Sequence, residues 1–495
     1  MPAPIDESVL EQQLSELEKA HNWNPRVISK LETFIRTADD YDLFRINPIQ
    51  YGSTRGMSNE EAIDLFIYAA KVGLFEMDWQ LLCAFCPQVV GSFRELAKVH
   101  SHYQCQFCNG INDVALDDYI QVTFTLSAQV RDNVFLHPEA LSVEDYYLRY
   151  HFAKGFKLPH GMTRDDMVAM LSKLFVDIAP HQKRTFEFEL PAGRFEVLDL
   201  AHSLLLVLFV EGQGPESQST QIQLNDGRFQ VANRTTGPRD MVIGAGRFAF
   251  RQAGDMPPGK HSIEIENRMD ERGRFWIVQY PPGFEAFYFE YEPFLSGKKL
   301  LITPAFRNLF RTQLVNEAEG ITVNDLTYLF TDLKGSTQLY DTVGDGNAYF
   351  LVRQHFDTLN RVVKARSGVI VKTIGDAIMA AFEQPQDGVA AAIEMIEEMA
   401  AFNKNISQPL NLKIGVHKGR SIAVTLNERI DYFGQNVNIA ARVQALADAN
   451  EVYLSREVME APGVSEIIKA HHVMSDHVQV KGVSETLEVY RVTIE

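Results

Sequence analysis

Cysteine is scarce: the chain of 495 residues holds four, too few for a disulfide scaffold. Long apolar runs are missing. The longest, Leu204 to Val210 (LLLVLFV), falls far short of the ~20 residues that span a bilayer. The opening MPAPIDESVLEQQ lacks the apolar segment of a secretion signal. Positive charge is in deficit, with 47 lysines and arginines against 65 acidic residues and a formal net charge of −18. A field of that sign repels nucleic acid and anionic lipid, so a polyanion must be bound at a local site. Internal repeats and low-complexity tracts are absent too. These absences predict a soluble, cytoplasmic protein with neither nucleic acid nor membrane among its partners.

What is present describes a folded, multi-domain chain. A composition of 45% hydrophobic and 23% charged residues is that of a globular protein. The length exceeds the ~250–300 residues at which one core stops growing, so about two to four domains are expected. Up to about residue 80 the pattern is helical. Ser29 with Glu32, and Ser58 with Glu61, have capping-box spacing, and Ala62, Leu65, Phe66, Ala69 and Ala70 recur on one helical face. Between about 183 and 293 short segments such as RTFEFEL, SLLLVLFV and HSIEIENR, separated by turn signals, read as antiparallel strands. The expected fold is multi-domain α+β. A helical region (1–180) carries a four-cysteine, zinc-ribbon-like element (83–108). An antiparallel β-sandwich (181–300), regulatory or structural, and a connector (301–322) follow. The last part (323–495) alternates as β-α-β-β-α-β, the ferredoxin-like order.

Four pieces of that last part carry chemistry. In LTYLFTDLKGST an apolar strand runs into Asp332, with Gly335 and a Ser-Thr pair beyond it. In GVIVKTIGDAIMAAF two strands flank Gly375-Asp376, a hairpin with a carboxylate at its tip. Two aspartates on neighbouring strand ends suit a pair of divalent cations ~3.5–4 Å apart, the arrangement that clamps attacking and leaving oxygens in phosphoryl transfer. So sparse a ligand set suits Mg²⁺, which keeps substrate phosphate oxygens in its shell. In RIDYFGQNVNIAARV, Asn438 and Arg442 lie four apart on a helix and share a face. Lys481 sits between strand-like segments. Singly, each has a bland reading as a turn, cap or surface charge.

Together, in this order and spacing, they resemble the catalytic domain of class III nucleotidyl cyclases, the adenylyl and guanylyl cyclases, over residues 323–495. The resemblance implies that Asp332, the backbone carbonyl of Leu333 and Asp376 bind two Mg²⁺ or Mn²⁺ ions per active site. It implies that Lys372 and Asp431 read adenine, that Asn438 orients the ribose and Arg442 meets transition-state charge, and that Lys481 binds the terminal phosphates. Guanylyl members typically carry Glu and Cys where this chain has Lys372 and Asp431, so ATP is favoured over GTP. Ser336 departs from many animal members, which have an aromatic residue there. In the family one domain supplies the metal aspartates and its partner the other groups. A single copy with both sets implies a head-to-tail homodimer with two composite sites. The implied protein is an adenylate cyclase, a phosphorus-oxygen lyase making cyclic AMP and pyrophosphate from ATP, regulated by its N-terminal half through an activator the sequence does not reveal. The readings set against it are a non-enzymatic, nucleotide-sensing scaffold and a nucleic-acid-binding zinc module.

Cys83-x2-Cys86 and Cys105-x2-Cys108 use every cysteine in the chain. Two such pairs have the spacing of a structural four-thiolate Zn²⁺ site. Paired disulfides or free thiols are the alternative, and His100 and His102 are nearby alternate ligands. Residues 20–300 as a whole resemble a region that precedes cyclase domains in some bacterial proteins.

Overall fold

The N-terminal helices begin where short polar side chains can cap them. Helices α1 (Glu7–Ala20), α2 (Pro25–Thr37), α3 (Pro48–Arg55) and α4 (Asn59–Lys71) follow Asp6, Asn24, Asn47 and Ser58, each accepting from a first-turn N–H. Ser58 caps as expected, accepting from the Glu61 N–H at 3.1 Å. Ser29 does not: it lies inside α2. Pro25, with its preset φ and no orphan N–H, starts that helix earlier beside Asn24. Ala62, Leu65, Phe66 and Ala69 form a buried face on α4.

The computed structural model describes residues 3–494 apart from 114, 216, 226–227, 233–235, 244–245, 283–288, 317–319 and 481–485. The chain divides into two compact units. Met1–Arg94, His102–Val114 and Gln121–Leu295 make the first; Glu95–Ser101, Ala115–Ile120 and Ser296–Glu495 make the second. The second unit thus begins ahead of the expected connector and takes in two short segments from far upstream.

In the first unit strands appear well before residue 181. β1 (Phe75–Leu82) pairs with β2 (Val89–Phe93), β3 (His102–Gln104) pairs with β4 (Ile111–Asp113), and β5 (Ile120–Leu126) lies beside β1. Nearly every residue of β1 is buried, so it lacks the alternation that tells a strand from a buried helix. A six-stranded and a four-stranded sheet follow, beginning at Ser172, with Val197, Leu206, Leu208, Ile222, Ile263 and Phe275 in a common core. This sandwich is mixed, correcting the antiparallel expectation. Leu204–Val210 pairs in parallel with Gly246–Met256, and Ser217–Asn225 with Gly259–Asn267. The chain leaves one sheet, passes through the other and returns from the same end, and such crossovers make parallel pairs.

The second unit is built on β6 (Ile321–Leu333), α5 (Ser336–Val343), α6 (Asp345–Ala365), β7 (Val369–Ile374), β8 (Ala377–Phe382), α7 (Pro385–Asn403), β9 (Leu412–Leu426), β10 (Arg429–Phe433), α8 (Gln435–Leu446), β11 (Glu451–Ser455), β12 (His472–Val478) and β13 (Leu487–Thr493). The sheet runs β7-β8-β6-β9-β11-β13-β12, with β10 paired to β9. On one face Leu329, Ile378, Phe382, Ile414 and Val416 pack against Leu359, Val363, Met395 and Met399 of α6 and α7. Side chains alternate across a strand, so Gly415 faces the other way, toward α8. A Cβ there would lie 2.1 Å from the backbone nitrogen of Gln444. Gly415→Ala is therefore expected to destabilise the unit by about 1–3 kcal/mol, read as a lower thermal midpoint.

Candidate active site

Asp332 and Leu333 end β6, and Asp376 follows Gly375 (φ 64°) at the turn between β7 and β8. Because β8 lies beside β6, the sheet brings the two aspartates to one end. Burial, and then the charge of Asp376, push the Asp332 carboxyl above its usual range, against the pull of Lys413. Lys413 stands opposite Asp332 in the ladder, with Nζ 3.8 Å from Oδ2. Asp376 Oδ2 is buried and has no hydrogen-bond partner among the described residues. Two carboxylates at one end of the sheet, Asp332 raised by burial and by its neighbour's charge and Asp376 with an unsatisfied buried oxygen, fit divalent cations. Beneath them on α6, burial holds His355 down at about 4 despite the opposing Asp376 backbone and charge. Its ring is neutral at physiological pH and adds no competing positive charge.

Lys372 on β7 and Asp431 on β10 lie 59 positions apart in sequence, yet their side chains meet at 2.6 Å. Asp431 is 7% exposed and Lys372 38%. The second carboxylate oxygen of Asp431 accepts from the Tyr432 N–H at 2.8 Å, which aims the group. With the strand period of two, Ile374 shares the face of Lys372 and Phe433 that of Asp431. Both are apolar and half exposed, at 50% and 49%.

Asn438 and Arg442 project from the first two turns of α8, Asn438 exposed and Arg442 partly so. Arg442 has no ion-pair or hydrogen-bond partner among the described residues, so its guanidinium is available for an anion. The helix is held by a residue that the motif reading missed. His417 on β9 is buried, its Nε2 3.0 Å from Asn436 Oδ1 and its Nδ1 2.8 Å from Ser455 Oγ and 3.5 Å from Glu457. The Asn436 Nδ2 in turn donates to the Arg420 carbonyl at 2.8 Å. That bond fixes the amide orientation, so Oδ1 must accept from Nε2–H. The only signal in sequence was a histidine inside an apolar strand. Lys481 lies outside the described residues.

The four cysteines of the first unit form one cluster, with all four sulfurs within 4.8 Å of one another. The pairs Cys83–Cys108 and Cys86–Cys105 stand 3.7 and 3.5 Å apart, and none of the four is in a disulfide. A tetrahedral ion with ~2.3 Å metal–sulfur bonds sets sulfurs about 3.8 Å apart. The Phe85 and Gly110 N–H groups donate to Cys83 and Cys108 Sγ at 3.3 and 3.4 Å, as suits thiolates. His100 and His102 are exposed and outside the cluster, His102 instead pairing with Asp113 at 2.7 Å.

Residues 8–308, more than half of the chain, match the family described as "Family of unknown function (DUF5939)". The chain belongs to the DUF5939 family. Residues 320–493 match the adenylate and guanylate cyclase catalytic domain, so this DUF5939 member carries a class III cyclase domain at its C-terminal end. Among curated relatives, an adenylate cyclase of Anabaena cylindrica is 23% identical over 253 residues, covering 47% of this chain and 50% of that protein. An adenylate cyclase of Mycosarcoma maydis is 27% identical over 159 residues, 28% of this chain and 6% of that one. An uncharacterized protein of Mycobacterium tuberculosis is 30% identical over 164 residues, 31% and 30% of the two chains. The chain therefore spans half or less of the length of these relatives. Among solved structures, the adenylyl cyclase CyaB of P. aeruginosa is 23% identical with a TM-score of 0.31, covering 35% of this chain and 96% of that one. The guanylyl cyclase Cya2 is 23% identical with a TM-score of 0.32, covering 36% and 95%. No described helix is long and apolar enough to cross a membrane.

Proposed function

We propose that the protein is an adenylate cyclase that converts ATP to 3′,5′-cyclic AMP and pyrophosphate at a homodimer interface, under control of its DUF5939 half. The observation that carries this reading is the preformed Lys372–Asp431 pair at 2.6 Å. Adenine offers an amino donor at C6 and an acceptor at N1. Asp431 accepts from the first and Lys372 donates to the second. Guanine reverses that pattern and would leave buried polar groups unpaired, the arrangement that gives strong discrimination.

Asp332, the Leu333 carbonyl and Asp376 would hold two Mg²⁺ or Mn²⁺ ions. Such ions supply Lewis-acid activation of the ribose 3′-hydroxyl and charge neutralisation at the α-phosphoryl group. Asn438 orients the ribose, and Arg442, which has no partner among the described residues, meets the charge that develops on the α-phosphate. Lys481 takes the terminal phosphates. The 3′-hydroxyl gives up its proton to solvent, its oxygen bonds to the α-phosphorus, the bond from that phosphorus to the bridging oxygen breaks, and pyrophosphate leaves. Ile374 and Phe433, exposed beside the base-reading pair, support an apolar dimer interface there. In the first unit, Cys83, Cys86, Cys105 and Cys108 hold a structural Zn²⁺.

Incubation with ATP, GTP, CTP and UTP separately, with Mg²⁺ or Mn²⁺, followed by mass spectrometry tests the reading. Cyclic AMP from ATP is expected; a cyclic product from GTP alone would overturn the base assignment. His417→Ala is expected to lower kcat by roughly 10- to 100-fold, since about 1 Å of misplacement costs that much, while KM for ATP stays near its original value. His417→Gln, whose amide N–H replaces Nε2–H, is expected to recover most of the loss in steady-state assays.

A further inference from the structure

Cys105 and Cys108 lie on the hairpin of β3 and β4, in the first unit, but both chain segments flanking that hairpin belong to the second. On the upstream flank the Leu96 N–H donates to Gln313 Oε1 at 3.1 Å. The downstream flank is tied to the start of β6. Ala115 bridges in parallel to Thr322, and the Leu116 N–H donates to the Thr322 carbonyl at 2.9 Å. The Asn324 N–H donates to Asp117 Oδ2 at 2.6 Å. Asp117 also pairs with Lys298 at 2.7 Å, both side chains being largely buried. β6 is the strand whose far end carries Asp332 and Leu333.

We infer that the metal bound by the four cysteines acts as a clasp. By pinning the turn of the hairpin to Cys83 and Cys86, it orders β3 and β4, and so holds Glu95–Ser101 and Ala115–Ile120, which leave the hairpin's open end, where they secure the first residues of β6. This rests on the reading of the cluster as a zinc site. β3 and β4 have three residues each, too few to persist as an isolated hairpin. Their order must come from elsewhere, and in a small metal-bound element the binding free energy is the folding free energy. With the ion gone, the loop between the two flanks becomes a free chain, and the tethers at Leu116 and Asn324 carry its closure entropy.

The test is hydrogen–deuterium exchange by mass spectrometry on the full chain, as purified, after treatment with a high-affinity zinc chelator, and after Zn²⁺ is restored. Metal analysis is run on each sample. One zinc per chain is expected. Its removal should speed exchange at least tenfold in peptides covering 115–120 and 321–326, reversibly, with α7 unchanged. Zinc that leaves while those peptides exchange as before would overturn the clasp and leave a purely local site. Faster exchange throughout, α7 included, would overturn it as general unfolding. Protein that neither contains nor binds zinc would overturn the zinc reading beneath it. None of these readouts depends on cyclase turnover, so the clasp and the catalytic function stand or fall separately. Because chelation and reconstitution use the unaltered sequence, a cysteine variant that fails to fold does not block the test.

Discussion

Asp332→Ala and Asp376→Ala are each expected to cut cyclic AMP formation by more than ~10²-fold, since replacing even the outer-shell partners of a bound metal costs about 10- to 100-fold. The proposed homodimer should remain, because neither carboxylate supports the core. Burial and then the charge of Asp376 raise the Asp332 carboxyl, and Asp376 Oδ2 is buried without a partner among the described residues, so each alanine removes a ligand together with a desolvated carboxylate. Folding is then as stable as before or more so, while activity collapses, and a thermal melt beside the assay separates the two effects. Arg442→Ala is expected to be inactive too. Mixed with Asp332→Ala under conditions of subunit exchange, it should recover about a quarter of wild-type activity. Half the dimers are then heterodimers, and one of their two sites is whole. No recovery would mean that each chain builds its site alone.

The second large effect concerns the base. Replacing Lys372 with Glu and Asp431 with Cys together is expected to lower kcat/KM for ATP by roughly 10³-fold or more and to make GTP the better substrate. Sites built to hydrogen-bond one pattern reject the other by about 10⁴–10⁵. The double exchange is the informative variant. Asp431→Ala alone leaves the Lys372 ammonium beside a buried gap, so a fall in activity would mix lost recognition with lost stability. Competition assays with both nucleotides give the ratio directly. An ATP preference that survives the exchange would show that these two residues do not read the base.

The candidate site residues were legible in sequence through identity and spacing, which do not depend on how the chain packs. Asp332, Lys372, Asp376, Asp431, Asn438 and Arg442 stood out by identity and spacing, and the sheet brings Lys372 to Asp431 and β6 beside β8. The four cysteines were legible for the same reason and cluster in space. What failed was order set by tertiary structure. Ser29 looked like a cap, but Pro25 had already started the helix. The parallel pairs of the sandwich depend on which sheet the chain visits between strands, which alternation in a single strand cannot encode. His417 gains its role from Asn436 and Glu457 on other elements. The assignment of 95–101 and 115–120 to the second unit left no trace in sequence, since segments of six or seven residues have no measurable period.

That interleaving bears on synthesis as well as on the finished molecule. Leu116 leaves the ribosome about two hundred residues ahead of Thr322, its hydrogen-bond partner. At translation rates of ~5–20 residues per second the wait is on the order of ten to forty seconds. Through that interval the rest of the first unit, Gln121–Leu295, is still being made, and the two upstream segments wait for partners that follow it. The nascent chain therefore cannot finish one unit before beginning the other, and the bonds of Leu96 with Gln313 and of Leu116 with Thr322 can form only late in translation.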